Sequence, residues 1–320
     1  MNKNNIIGII IGALIVFIVV SRINFNFDIP SLPSWSDSVD KILITNLGKK
    51  IDLNIYKEKN NWYINKEKFP ADKNKIKNIL NALKNLEITE HVSDKGLFKN
   101  YGLDIKDASK VIVKAKNKTI RDLYFGNKSS TNHTFVRVSN KKDVFLVSGV
   151  FRDYGKKIDH FRDKELVKIN KNAIASFNVM HRGQTFSFYQ KIEEKKKDKK
   201  NKKKGKKKGI WKCKGYEFTK LDKNKVEGIV SIFSPLRANT FLNIKKSELE
   251  KKFPTAELKV AAFGKTVSLK LFEEKDPKDK KGKRKIYKAI TSESPYVFTV
   301  SSWKANKVLL KNIEAVKAKK

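Results

Sequence analysis

The sequence predicts an α+β protein of two tandem duplicated domains. Each is a small, mostly antiparallel sheet packed on one amphipathic helix, and both lie behind an N-terminal transmembrane helix. Three observations lead there. A helical pattern opening at Asp72-Lys73-Asn74-Lys75 returns at Asp222-Lys223-Asn224-Lys225, an offset of 150. Apolar residues follow at Ile76, Ile79, Leu80, Leu83 and Leu86, and at the same steps at Val226, Ile229, Val230, Phe233 and Leu236. Flanking landmarks recur as well: Trp62 with Trp211, Lys118-Thr119-Ile120 with Lys265-Thr266-Val267, and Phe145-Leu146-Val147-Ser148 with Phe298-Thr299-Val300-Ser301. Self-similarity at a near-constant period marks a duplicated unit.

Residues 1–27 read as a membrane anchor with its flanks. Residues 6–20 (IIGIIIGALIVFIVV) carry no charge. As a helix they span about 22 Å, short of a hydrocarbon core of about 30 Å, and Asn4, Asn5, Ser21 and a snorkelling Arg22 extend them. Neither a small-x-small cleavage site nor a lipoprotein cysteine follows Val20, which favours an uncleaved signal anchor over a cleaved signal peptide. Residues 28–40, with two prolines and four serines, form a linker.

The first repeat covers 41–155. Short β runs at 41–45, 51–56 and 62–64 precede a helix capped by Asp72 and running to about Leu86. A Tyr101-Gly102-Leu103 turn follows, then strands near 110–116, 119–125, 134–139 and 143–148. The alternation of Val111, Val113 and Ala115 indicates a sheet with one wet face. Residues 156–172 form a junction. The second repeat, 173–320, places strands near 174–181, 185–190 and 209–213, a helix from Asp222, and strands near 256–262, 265–272, 285–291 and 296–301. A C-terminal helix is expected over 302–317. Two lysine-rich runs, 191–208 and 273–285, fall where the first repeat has short hairpin turns, and read as loop insertions.

The formal charge of +39 comes from 72 basic residues, of which only eight are arginine. Lysine lacks the planar fork that suits bidentate phosphate and base recognition, so nucleic acid is not the expected partner. The run at 191–208 holds twelve lysines and no aromatic on which a base could stack. Its Lys195, Lys196, Lys197, Lys199, Lys200, Lys202, Lys203, Lys204, Lys206, Lys207 and Lys208 are the candidate anion-binding residues, for acidic lipid headgroups, an envelope polymer or, least expected, nucleic acid; the alternative is a solvated loop.

No pattern specifies catalysis, a metal or a cofactor, and none of the three is expected. His91, His133, His160 and His181 do not lie at metal-ligand spacings, and Cys213 is the single cysteine. Asp72 and Asp222 read as helix caps, Cys213 as a small core residue, and Trp62 and Trp211 as matched core anchors. Asp159-His160 lacks a nucleophile nearby.

A hairpin ending in Trp62, a proline and Ala71-Asp72 opening a helix, then Tyr101-Gly102-Leu103, then Tyr124-Phe125-Gly126 before Phe135-Val136-Arg137: this order resembles the bacterial domain-of-unknown-function family 4340. The second copy departs from it at the Tyr-Gly-Leu turn and at the glycine matching Gly126. The resemblance implies a single-pass protein of the bacterial inner (cytoplasmic) membrane, its bulk extracytoplasmic, often encoded beside ABC-type transporter subunits related to gliding systems. The expected function is that of an accessory or docking protein of such a transporter. The alternative is a polybasic protein that binds anions through the 191–208 loop.

Overall fold

In the computed structural model, which describes residues 12, 32, 35, 38–129, 132–192, 209–262, 264–277, 279, 281 and 283–319, the chain divides into two units between Arg162 and Asp163. In the first, β1 (Lys41–Asn46), β2 (Ile51–Glu58), β3 (Asn61–Ile64) and β4 (Phe69–Pro70) lead to helix α1 (Lys73–Lys84). β5 (Ile88–Ser93), β6 (Ser109–Ala115), β7 (Lys118–Lys128), β8 (His133–Val138), β9 (Val144–Ser148) and the one-turn α2 (Ile158–Phe161) follow. The strands lie in the order β4-β3-β2-β1-β6-β7-β8-β9-β5, with β1 antiparallel to both β2 and β6.

The period-two pattern of β6 is realised: Val111, Val113 and Ala115 are buried while Lys110, Ile112 and Lys114 are half-exposed. They share a core with Ile42, Ile44, Ile55 and Ile64 of the sheet and with Ile76, Ile79 and Leu83 of α1. Burying each such side chain contributes about 1.5–3 kcal/mol. Asp72 caps α1, its Oδ1 accepting the N–H groups of Asn74 at 3.0 Å and Lys75 at 3.2 Å.

The second unit contains β10 (Glu165–Val167), β11 (Ser176–His181), β12 (Gln184–Ile192), β13 (Gly209–Cys213) and helix α3 (Lys223–Val230). Then come β14 (Leu236–Arg237), β15 (Phe241–Leu242), α4 (Lys246–Glu250), β16 (Ala256–Ala262), β17 (Lys265–Lys275), β18 (Lys285–Thr291), β19 (Val297–Val300) and α5 (Ser302–Val308). Its main sheet runs β13-β12-β11-β16-β17-β18-β19-β15, and β10 pairs with β14 separately. From β3 to β5 in one sheet and β13 to β15 in the other, the two orders agree strand for strand. Asp222 caps α3 as Asp72 caps α1, accepting from Asn224 at 2.9 Å and Lys225 at 3.3 Å. The backbone N–H of each cap is tied to the end of its own unit, Asp72 to Phe161 O and Asp222 to Val316 O.

The second unit departs from the expected elements at two helices. The helix from Asp222 stops at Val230 and a 3-10 turn, Ser231–Phe233, takes over. Pro235 disfavours helix at the preceding residue, and Leu236, expected on the helix face, instead pairs Val167 as part of β14. The C-terminal helix ends at Val308, and Ile313–Val316 form a separate 3-10 turn started by Asn312. Val308 and Leu310 are both buried; two residues apart, they would face nearly opposite ways on a continuous helix, so the chain must bend. The segment 156–172 is shared out: Phe161 belongs to the first core, Val167 and Ile169 to the second.

The expected anchor at 6–20 lies outside the described residues, Gly12 apart, as does most of the linker at 28–40. Among the described residues no helix is long and apolar enough to cross a membrane.

Candidate functional site

The later landmarks of the family resemblance, Tyr101-Gly102-Leu103, Gly126 and Arg137, meet in one place. Phe98–Tyr101 form a 3-10 turn closed by Gly102 in the left-handed region, at φ 65°, and Leu103 N–H donates back to Phe98 O at 2.9 Å. Against this turn lies Gly126. A Cβ there would stand 2.3 Å from Tyr101 O and 2.9 Å from Leu103 Cγ, and one on Gly102 would stand 2.6 Å from the Asn127 side chain. Arg137, buried, completes the cluster. Its guanidinium lies 3.7 Å from the Tyr124 ring centre and 4.4 Å from that of Phe98, and its Nε donates to Leu103 O at 3.2 Å.

Counted along the ladders from Leu123 and Leu269, Gly126 corresponds to Phe272 and Arg137 to Ile290. There the second unit has a small apolar cluster of Leu249, Phe272, Ile290 and Val297, covered by α4. The departures read from the sequence, a missing Tyr-Gly-Leu turn and a missing glycine, are therefore one structural change. The Lys252-Phe253-Pro254 segment does not replace the turn, since Phe253 is fully exposed.

Beside this cluster the first unit carries a cleft of about 380 Å³. The β1–β2 turn contributes Lys49, the β7–β8 hairpin contributes Gly126, Asn127 and Lys128, and the segment after β9 contributes Arg152 and Lys156; Asp107 is its carboxylate. Buried Asn46, at the end of β1, orders the turn by accepting Lys49 N–H at 2.8 Å and donating to Asp107 O at 2.9 Å.

The second unit has a cleft of about 1150 Å³ built from the corresponding elements. His181 and Arg182 come from the β11–β12 turn, Glu273, Lys283, Arg284, Lys285 and Tyr287 from the β17–β18 hairpin, and Lys311 from the segment after α5. His181 is buried and its Nδ1 lies 3.0 Å from Leu310 O. A carbonyl only accepts, so Nδ1 carries the proton and Nε2 is left to accept when the ring is neutral. Lys285 Nζ lies 2.8 Å from Glu273 Oε1, and Tyr287 donates its hydroxyl to Oε2 at 3.2 Å. The hydrogen bond from Lys285 holds the Glu273 carboxyl below its ordinary range. Burial, with the charge of Glu273, raises the Tyr287 phenol.

Neither cleft was legible as a site, because its side chains come from four separated segments in the first unit and three in the second. The candidate lysines at 195–208 lie outside the described residues; the flanking Ile192 and Gly209 pair in the β12–β13 ladder. The run at 273–285 is narrower than expected as a loop, for β17 and β18 stay paired out to Lys275 and Lys285. The His160 imidazole Nε2 lies 3.3 Å from Asp153 Oδ1, and burial, with Lys75 nearby, lowers its pKa.

Cys213 is fully buried and faces Phe188 in the ladder, as Ile64 faces Ile55. Burial pushes its thiol up to about 11. Trp211 is buried, whereas Trp62 is half-exposed against the first core. Among the described residues no three metal-ligating side chains converge.

No curated protein and no solved structure matches the chain. The family model described as Domain of unknown function (DUF4340) matches residues 62–257, from Trp62 on β3 to Glu257 on β16. Spanning more than half of the chain and including the interlocked Gly102–Gly126 cluster, this match means that the protein belongs to that family.

Proposed function

We propose that the chain is a membrane-anchored, extracytoplasmic accessory protein that docks on an ABC-type transporter of the bacterial inner membrane, with no reaction of its own. Its two units arose by duplication of one sheet-and-helix module, as the repeated strand order and the paired caps Asp72 and Asp222 suggest. The uncharged run at 6–20 supplies the anchor. The observation that carries docking is the exposure of Phe218, Phe253 and Trp303 in the second unit, since aromatic side chains dominate the binding energy of protein interfaces. A photocrosslinking residue at Phe253 in the intact membrane should capture a membrane protein. Recovery of a solitary, uncrosslinked monomer from mild detergent would sink the reading.

Sidedness is tested separately, with a cysteine at Gly205 in a Cys213→Ser background and a membrane-impermeant thiol reagent. Labelling in intact cells supports an extracytoplasmic chain, and labelling only after lysis overturns it. A second reading, anion binding through the 191–208 run, draws on the twelve lysines that the run holds. Deleting residues 195–208 should then abolish binding to anionic liposomes, and unchanged binding would exclude it.

A further inference from the structure

We propose that the two clefts are equivalent oxyanion sites, one in each unit, and that each takes a phosphate-type group. Both are built at the same place: the turn after the first core strand, the hairpin two strands beyond its neighbour, and the segment after the last strand. Positive charge recurs in that place without recurring at aligned residues. In the first unit it comes from Lys49, Lys128, Arg152 and Lys156 against the single carboxylate of Asp107. In the second it comes from Arg182, Lys283, Arg284, Lys285 and Lys311 against Glu273.

That one acid is already engaged. Glu273 is held by Lys285 and the Tyr287 hydroxyl, and Arg284 lies 3.8 Å from Asp276. Arg182, Lys283 and Lys311 form no ion pair among the described residues, nor do Lys49, Lys128, Arg152 and Lys156. Cations gathered in a concave site with low-dielectric walls focus their field on whatever anion enters. The charge is supplied mostly by ammonium groups, which bind as point charges. An ammonium point charge binds a phosphate oxygen without the in-plane alignment that a guanidinium fork imposes, so a tetrahedral group can be held by several lysines at once.

A buried polar group ends the corresponding strand in both units: His181 lines the second cleft, and Asn46 accepts the N–H of Lys49, which lines the first. None of the cations named in either cleft belongs to the 191–208 run or to residues 1–27. The phosphate is either that of a soluble polyanion or that of a lipid headgroup.

The test is calorimetric titration of the full-length protein in zwitterionic detergent at low ionic strength. The two probes are tripolyphosphate and a water-soluble short-chain phosphatidylglycerol. Two sites per chain are expected for at least one probe, and the tighter probe identifies the source. Arg182→Gln with Lys311→Gln should remove one site, and Lys49→Gln with Arg152→Gln the other, each weakening binding there by about tenfold or more. Exchange of the same residues between lysine and arginine should retain both sites, which separates charge from folding. Deleting residues 195–208 should also leave both.

A matched control, Lys73→Gln with Lys77→Gln on exposed α1 positions, should change affinity less than twofold. Equal losses in the control and cleft variants would show diffuse attraction to a basic protein and overturn the proposal. So would binding that vanishes with the loop alone.

Discussion

Gly126 lies so close to the Tyr101 carbonyl that a Cβ on it would meet that oxygen at 2.3 Å. The contact joins a turn and a strand separated by the whole of β6, and it explains why the two sequence landmarks occur together in the first unit and are absent together from the second. Where Gly126 stands, the second unit has Phe272, and a short helix bearing Leu249 takes the turn's place.

The first prediction follows from that distance. Gly126→Ala should destabilise the protein by about 3 kcal/mol, because the obstacle is a backbone oxygen that cannot rotate away. Gly228→Ala is the contrasting substitution. Nothing lies within 4 Å of its Cβ position and it sits inside α3, so it should stabilise by about 0.5–1 kcal/mol. Urea unfolding of each variant, followed by tryptophan emission and circular dichroism, measures both.

The two helix caps should behave alike. Asp72→Ala and Asp222→Ala each remove an acceptor for two N–H groups and should each cost about 1 kcal/mol, with Asn at either position recovering most of it. A loss confined to one unit, or an effect of Asn as large as that of Ala, would show that the carboxylates do something other than capping.

Tyr154 packs edge-on against Phe125 and stacks on Phe151. Its buried hydroxyl has no hydrogen-bond partner among the described residues, and burial raises the phenol well above its ordinary pKa. Tyr154→Phe keeps the ring and removes the unsatisfied group, so stability should rise by about 1 kcal/mol. A fall in Tm would reveal a partner for that hydroxyl.

Cys213 gives the pH prediction. Its folded-state pKa of about 11 lies above the ordinary thiol value of 9.0. A raised folded pKa means that the unfolded chain loses its proton first. The stabilisation is fully present below pH 9 and is lost as pH climbs toward 11. Cys213→Val should flatten that alkaline slope at little cost near neutrality, since Ile64 fills the corresponding position in the first unit. The native thiol should also resist impermeant reagents until the protein unfolds.

Much of the architecture was readable because its signals are local. Hydrophobic period, capping aspartates and turn residues act over a few positions, so the long strands and the starts of both capped helices were placed within a few residues of where they lie. The elements that escaped notice are those defined by partners rather than by pattern. β5 holds its place by an irregular ladder to β9, and β14 exists only because Leu236 and Arg237 meet β10. The bend after Val308 answers the burial of both Val308 and Leu310, which no helical repeat could announce. The same holds for the clefts. Lys49, Lys128 and Arg152, or Arg182, Arg284 and Lys311, are ordinary members of a lysine-rich chain until the antiparallel sheet brings three distant segments to one end. Local propensity chose the strands and helices; long-range pairing, whose energy depends on residues far apart in sequence, chose which charges became neighbours.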